Sequence, residues 1–177
     1  DILNPILREK RIRSLLGVPL IVEGQSSACS TLARLCHDVR TAARYLPASD
    51  EIGGDWYDVF ELPRGRVGIA IGDVVGHGVP AAVLMGQLRT TLHAYAIESH
   101  GAARTLELLD RFVLALPDYT MATAAYAVFD PVTGALELAS AGHLPPILIG
   151  ADGAQVLEIE PAPHSALRHS EPSRSAS

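Results

Sequence analysis

From residue 57 onward the chain is punctuated into strands and helices in an order that leaves few folds open. Residues 57–62 and 66–71 read as strands on either side of Pro63-Arg64-Gly65, which has the composition of a tight hairpin turn. A glycine-rich loop follows, and then two helical stretches in succession. In the first, Ala81, Leu84, Met85, Leu88, Leu92 and Tyr95 recur at helical spacing, with Gln87, Arg89, Thr90 and His93 mostly off that stripe. The second begins near Ala102, turns Leu106, Leu109, Val113 and Leu116 inward, and stops at Pro117. Two further strands, 120–129 and 135–141, are joined by Asp130-Pro131-Val132-Thr133-Gly134. Both faces of the first are small or apolar, as in a strand covered on both sides. Short strands at 147–149 and 155–159 flank Asp152-Gly153. Consecutive hairpins with both helices inserted together argue against an alternating parallel α/β order. They predict an α+β fold of stacked antiparallel sheets with helices outside.

The flanks are less regular. Residues 6–12 read as a basic helical start, and residues 15–24 as strand, bend, strand and turn, too short to bury a core alone. Ser26 and Ser27 are N-cap residues for a short helix carrying Cys29, Leu32, Leu35 and Cys36 on one side. A strand over 39–46 then runs into Pro47. Periodicity is lost from Pro161, and the serine-rich residues 164–177 are expected to be unstructured.

Composition narrows the class. The chain has 177 residues, 48% apolar and 19% charged, which suits one globular domain. Fourteen basic against 20 acidic residues give a net charge of −6, which argues against nucleic acid or an anionic membrane as a non-specific partner. No apolar run approaches the roughly 20 residues of a membrane span, and the N-terminus has no signal-peptide layout, so a cytoplasmic protein is expected. Cys29 and Cys36 fit neither a redox pair nor a zinc spacing and read as reduced thiols.

Two acidic motifs carry the chemistry. Asp55 lies in Gly53-Gly54-Asp55-Trp56-Tyr57-Asp58, and Asp73 ends a strand and opens Gly72-Asp73-Val74-Val75-Gly76-His77-Gly78. Either aspartate alone reads equally as a turn residue. Jointly, carboxylates at strand ends with glycine neighbours suit hard divalent cations, and a shared carboxylate suits a dinuclear site for attack on phosphorus. His77 reads as a general acid, a residue that orients water, or simply a positional residue near a helix start. Ala141-Gly142-His143-Leu144-Pro145-Pro146 is a second Gly-His element, readable as a tight turn with a hydrogen-bonded imidazole. Neither a Gly-x-Ser-x-Gly nor a Walker motif occurs.

Those motifs, together with Ala43-Arg44-Tyr45-Leu46-Pro47-Ala48 before them and Val79-Pro80-Ala81-Ala82 extending the second, stand in an order that closely resembles the SpoIIE/RsbU-like branch of the metal-dependent (PPM, type 2C-like) serine/threonine phosphatases. The resemblance implies a β-sandwich of two antiparallel sheets flanked by helices. It also implies Asp55 and Asp73 as ligands of two Mn2+ or Mg2+ ions, with the backbone carbonyl of Val74 as a further ligand. With His77 added from the reading of the residues above, the expected catalytic set is Asp55, Asp73 and His77. The implied reaction is direct hydrolysis of phosphoserine or phosphothreonine, with a phosphorylated STAS-domain anti-sigma-factor antagonist as partner. Residues 12–24 are similar to the late part of a GAF sensor domain, a type of module that often accompanies dimeric phosphatases.

The resemblance divides the chain into a GAF-like remnant (1–24), a linker helix (25–38), a phosphatase domain (39–160) and a disordered tail (161–177). The family's later Thr-Asp-Gly-like and terminal Gly-Asp/Asn-Asp-type motifs are missing from this sequence, so the domain is expected to be incomplete at its C-terminus. The alternative expectation is a catalytically dead pseudophosphatase, or gene fragment, that only binds a partner.

Overall fold

A computed structural model describes residues 15–17, 29–34, 39–45, 53–98, 100–116, 121–150, 153–157, 159 and 167–168. Its centre is an antiparallel sheet of β4 (Trp56–Leu62), β5 (Arg66–Val74), β6 (Met121–Phe129) and β7 (Leu136–Ala141). The β4–β5 hairpin turns through Pro63–Gly65, where Arg64 (φ 66°) and Gly65 (φ 71°) both adopt left-handed backbone. That local twist matches the twist of paired strands.

Between β5 and β6 lie the two helices, α1 (Gly78–Ile97) and α2 (Ala102–Leu114). α1 packs on β4 and β5, and α2 packs on β6, β7 and α1. Leu88, Leu92, Leu106, Leu109 and Val113 are buried against the sheet residues Trp56, Phe60, Ala70, Val74, Ala124, Tyr126 and Val128. These sheet residues share one face because side chains alternate along each strand and the register holds Trp56 opposite Gly72, Ala70 opposite Tyr126, and Tyr126 opposite Ala139. Small residues on β5 make room for aromatic ones: a Cβ on Gly72 would run into the Trp56 indole, and one on Gly68 would lie 2.6 Å from the Phe60 ring. His93 of α1, expected off the apolar stripe, stacks on Phe60 with ring centroids 4.1 Å apart. Ala96 rather than Tyr95 is the buried residue at the end of that stripe. The start of α2 is held by β7, where the Glu137 carboxylate accepts from the Ala102 N–H at 3.2 Å.

The far face of β6 is also covered, with Ala125 6% and Ala127 1% exposed, as its composition predicts. A second antiparallel sheet joins β1 (Leu15–Gly17), β8 (Ile147–Gly150) and β9 (Gly153–Val156), and β2 (Cys29–Arg34) pairs with β3 (Arg40–Tyr45) in a hairpin. This is the expected α+β architecture of antiparallel sheets flanked by helices.

Two expectations are corrected. The linker helix over 25–38 is instead strand β2 over residues 29–34, in continuous register from Cys29 opposite Tyr45 to Arg34 opposite Arg40. Cys-Ser-Thr is a weak helix start, and a long ladder to a neighbouring strand outweighs such a local preference. The tail, placed at 161–177 as disordered, contributes β10 (Leu167–Arg168), which pairs with Ala122 and Met121 at the edge of β6 and satisfies backbone groups there. Two boundaries also move: α2 ends before Leu116, and β9 lies earlier than 155–159. The helical start at 6–12 and the Cys36 thiol lie outside the described residues, as does the Cys29 side chain.

Candidate functional site

The site forms where β4 begins and β5 ends, on the face away from the helices. Trp56 is in register with Gly72, so Asp55, one residue earlier, falls beside Asp73, one residue later. Asp73 is in turn opposite Thr123 of β6. The next chain along is the Gly142 turn, which bridges in parallel to Ala124 and brings His143 up to Thr123, with Nδ1 2.8 Å from Oγ1. Asp55, Asp73, Thr123 and His143 therefore make one polar row across the end of the sheet. Backbone contacts lock the loops behind it. Gly53 bridges to His77, the Val74 N–H donates to the Gly54 carbonyl at 3.3 Å, and the Val75 N–H donates to the Met121 carbonyl at 3.0 Å.

The two expected aspartates are thus neighbours within hydrogen-bonding reach. Burial pushes the Asp55 carboxyl above the ordinary 3.8, the charge and hydrogen bond of Asp73 push it further, and His143 partly offsets them. Burial lowers the His143 pKa, with Asp55 opposing. Adjacent carboxylates repel when both are ionised, and a divalent cation between them removes that cost, so the pair suits a hard cation. The Val74 carbonyl was the expected third ligand. The Val74 carbonyl lies directly against Gly54, a buried residue where a Cβ would sit 2.9 Å from Val74 Cβ and nearer still to the Val74 oxygen. Only glycine leaves that oxygen its place. Among the described residues, no group of three His, Cys, Asp or Glu side chains is close enough to hold one ion.

His77 sits at the N-cap position of α1 with extended backbone (φ −146°, ψ 170°) and an exposed side chain that makes no capping hydrogen bond. Gly76 (φ 113°) and Gly78 (φ 75°) flank it in backbone that other residues rarely adopt, which turns the chain sharply from β5 into α1. His77, at the start of α1, is bridged to Gly53, two residues before Asp55. Thr123 and His143 were not in the expected site. The Ala-Gly-His element was the signal for His143, whereas Thr123 has no sequence mark and joins only through strand register.

Residues 63–167 match the family Stage II sporulation protein E (SpoIIE), and the chain belongs to that family. It is similar to phosphoserine phosphatase RsbP of Bacillus subtilis, with 28% identity over 64% of this chain and 29% of that protein. Phosphoserine phosphatase RsbU of the same organism is 31% identical over 54% of this chain and 28% of that protein. Among solved structures, the RsbU and RsbW domains of Rv1364c from Mycobacterium tuberculosis superpose with a TM-score of 0.58 at 33% identity, covering 80% of this chain and 36% of that one. The chain spans less than a third of the length of these curated relatives.

Proposed function

We propose that this chain is the phosphatase module of a serine/threonine phosphatase of the SpoIIE/RsbU type. The observation that carries the reading is the Asp55–Asp73 pair, brought into contact at one end of the sheet beside the glycine-bounded start of α1. Asp55, Asp73 and the Val74 carbonyl would hold Mn2+ or Mg2+, two ions in the family's full site. Bound cations of this kind lower the pKa of water and offset charge on phosphoryl oxygens. The chain's own groups supply the rest. In this reading the N-terminal end of α1 would attract the phosphoryl group, and His77 would pass a proton to the departing serine or threonine oxygen as water adds to phosphorus and the P–O bond breaks.

The substrate class we propose is a phosphorylated regulatory protein, such as an anti-sigma-factor antagonist of the STAS type, acted on in the cytoplasm. Support comes from the names of the relatives, two of them phosphoserine phosphatases, and from the neighbouring structure, which carries an RsbW domain in the same chain. No described helix is long and apolar enough to cross a membrane. A GAF-like origin for residues 12–24 and a homodimer belong to the same proposal.

A second reading, a phosphatase-like module that only binds a partner, is favoured by the absence of a third close ligand side chain among the described residues. Manganese-dependent release of phosphate from a phosphoserine STAS-domain protein separates the two. Release by the unsubstituted chain that disappears with Asp73→Asn supports the enzyme. No release from folded protein supports the binding module, and equal release by the variant overturns the assignment of the chemistry to Asp73.

A further inference from the structure

The motif Gly53-Gly54-Asp55-Trp56-Tyr57-Asp58 carries a second aspartate that the function above does not use. The register sets Asp58 opposite Ala70, and Ala70 opposite Tyr126. Asp58 therefore sits on the helix-facing side of β4, between Trp56 and Phe60, and its side chain is largely buried. There it meets α1. Arg89 Nε donates to one carboxylate oxygen at 3.1 Å and Nη2 donates to the other at 3.3 Å, a fork-to-fork pair that fixes direction as well as distance.

That direction matters because burial orients α1 poorly. Leu88, Leu92 and Ala96 are buried, yet Val79, Val83 and Ile97 are each more than half exposed, so apolar side chains stand on opposite sides of the helix. α2 differs: it buries Leu106, Leu109 and Val113 and turns Arg104, Glu107 and Arg111 outward. Arg89 is the only Lys, Arg, Asp or Glu in α1. The other directional contact along this seam, His93 on Phe60, is a ring stack with 27° between planes, a geometry that tolerates sliding.

The seating of α1 is transmitted to its start. His77 caps α1 twelve residues before Arg89, about 18 Å away along a continuous helix, and is bridged to Gly53. A turn of about 20° around the axis carries a side-chain tip, about 5 Å from that axis, by roughly 2 Å. Misplacing a reacting group by about 1 Å is enough to slow a reaction about 100-fold. We propose that Asp58 and Arg89 are positioning residues: their paired hydrogen bonds set the rotation of α1 on the sheet and so place His77 and the helix start against the segment that carries Asp55. The effect on catalysis rests on the phosphatase reading above, whereas the effect on α1 does not.

The test uses the full 177-residue chain, whose single tryptophan, Trp56, is buried on the helix-facing side two residues before Asp58. Acrylamide quenching of Trp56 reads the seating of α1, and phosphate release from a phosphoserine STAS-domain protein with Mn2+ reads kcat. Arg89→Gln removes the pair, and Arg89→Lys keeps the charge without the fork. The expected result is folded protein in both cases by circular dichroism, with raised quenching and a kcat about 100-fold lower in Arg89→Gln and intermediate values in Arg89→Lys. Adding Asp58→Asn to Arg89→Gln should do no further harm, because the two residues act as one unit. Unchanged quenching in Arg89→Gln overturns the proposal, as does an unchanged kcat in a chain that is active. A lowered melting temperature with nothing else altered marks the pair as structural only and overturns it too. Should Arg89→Gln fail to fold, Arg89→Lys carries the same comparison. If the unsubstituted chain releases no phosphate, the phosphatase reading falls, and Trp56 quenching alone decides whether the pair seats α1.

Discussion

Gly54→Ala tests how the two acidic motifs are held together. Gly54 is buried, and a Cβ placed on it would lie 2.9 Å from Val74 Cβ and 3.1 Å from Val74 C, with the Val74 oxygen closer than either. Carbon atoms pack at about 3.5–4.0 Å, so the two segments must separate by at least half an ångström, roughly. The neighbour is backbone and cannot rotate away. Overpacking of this kind costs about 1–3 kcal/mol. The separation also strains the Val74 N–H to Gly54 carbonyl hydrogen bond, already 3.3 Å long, which adds about 0.5–1.5 kcal/mol if lost. A total near 3 kcal/mol corresponds to a fall in melting temperature of roughly 6–12 °C for a chain of this size. The assay is thermal unfolding in the absence of divalent cations, followed by Mn2+ titration, which should weaken because Asp55 and Val74 move apart. Gly86→Ala is the control: nothing lies within 4 Å of its Cβ on α1, and it should stabilise by about 1 kcal/mol. A Gly54→Ala protein that melts like the unsubstituted chain and binds Mn2+ as well would refute the close approach.

Further outcomes follow from individual contacts. Because the Asp55 carboxyl titrates above its ordinary 3.8, the folded state holds that proton more tightly than the unfolded chain; stability rises as pH falls through the interval and is lost as pH rises above it. Asp55→Asn should therefore melt higher than the unsubstituted chain at neutral pH without cations, with the difference closing towards acid pH in a pH series of melting curves. Tyr126 is fully buried, its pKa pushed up to about 12 chiefly by burial, and its hydroxyl has no hydrogen-bond partner among the described residues. Tyr126→Phe should be neutral or stabilising by about 1 kcal/mol in denaturant unfolding, and a loss of more than that would reveal a partner for the hydroxyl. Arg89 donates twice to the Asp58 carboxylate, at 3.1 and 3.3 Å, and the Asp58 side chain is only 14% exposed. Arg89→Ala should cost about 1 kcal/mol, shrinking at high salt, since the guanidinium itself is half exposed.

The central elements and both acidic motifs are legible in the sequence because each depends on local pattern. Period 3.6 in α1 and α2, the turn residues 63–65, and glycines beside Asp55 and Asp73 are all short-range signals. Pairing between distant segments is not local, and there the sequence was silent or misleading. Residues 29–34 carry a plausible helical stripe yet join a ladder with 40–45, and Leu167–Arg168 in a polar tail closes part of the β6 edge. Strand register alone sets Asp55 beside Asp73 and puts Thr123 and His143 in the same row, because a shift of one residue would turn any of these side chains to the other face. The sequence by itself determined the kinds of groups available for chemistry. Which of them meet was decided by the sheet, through backbone hydrogen bonds between segments far apart in the chain.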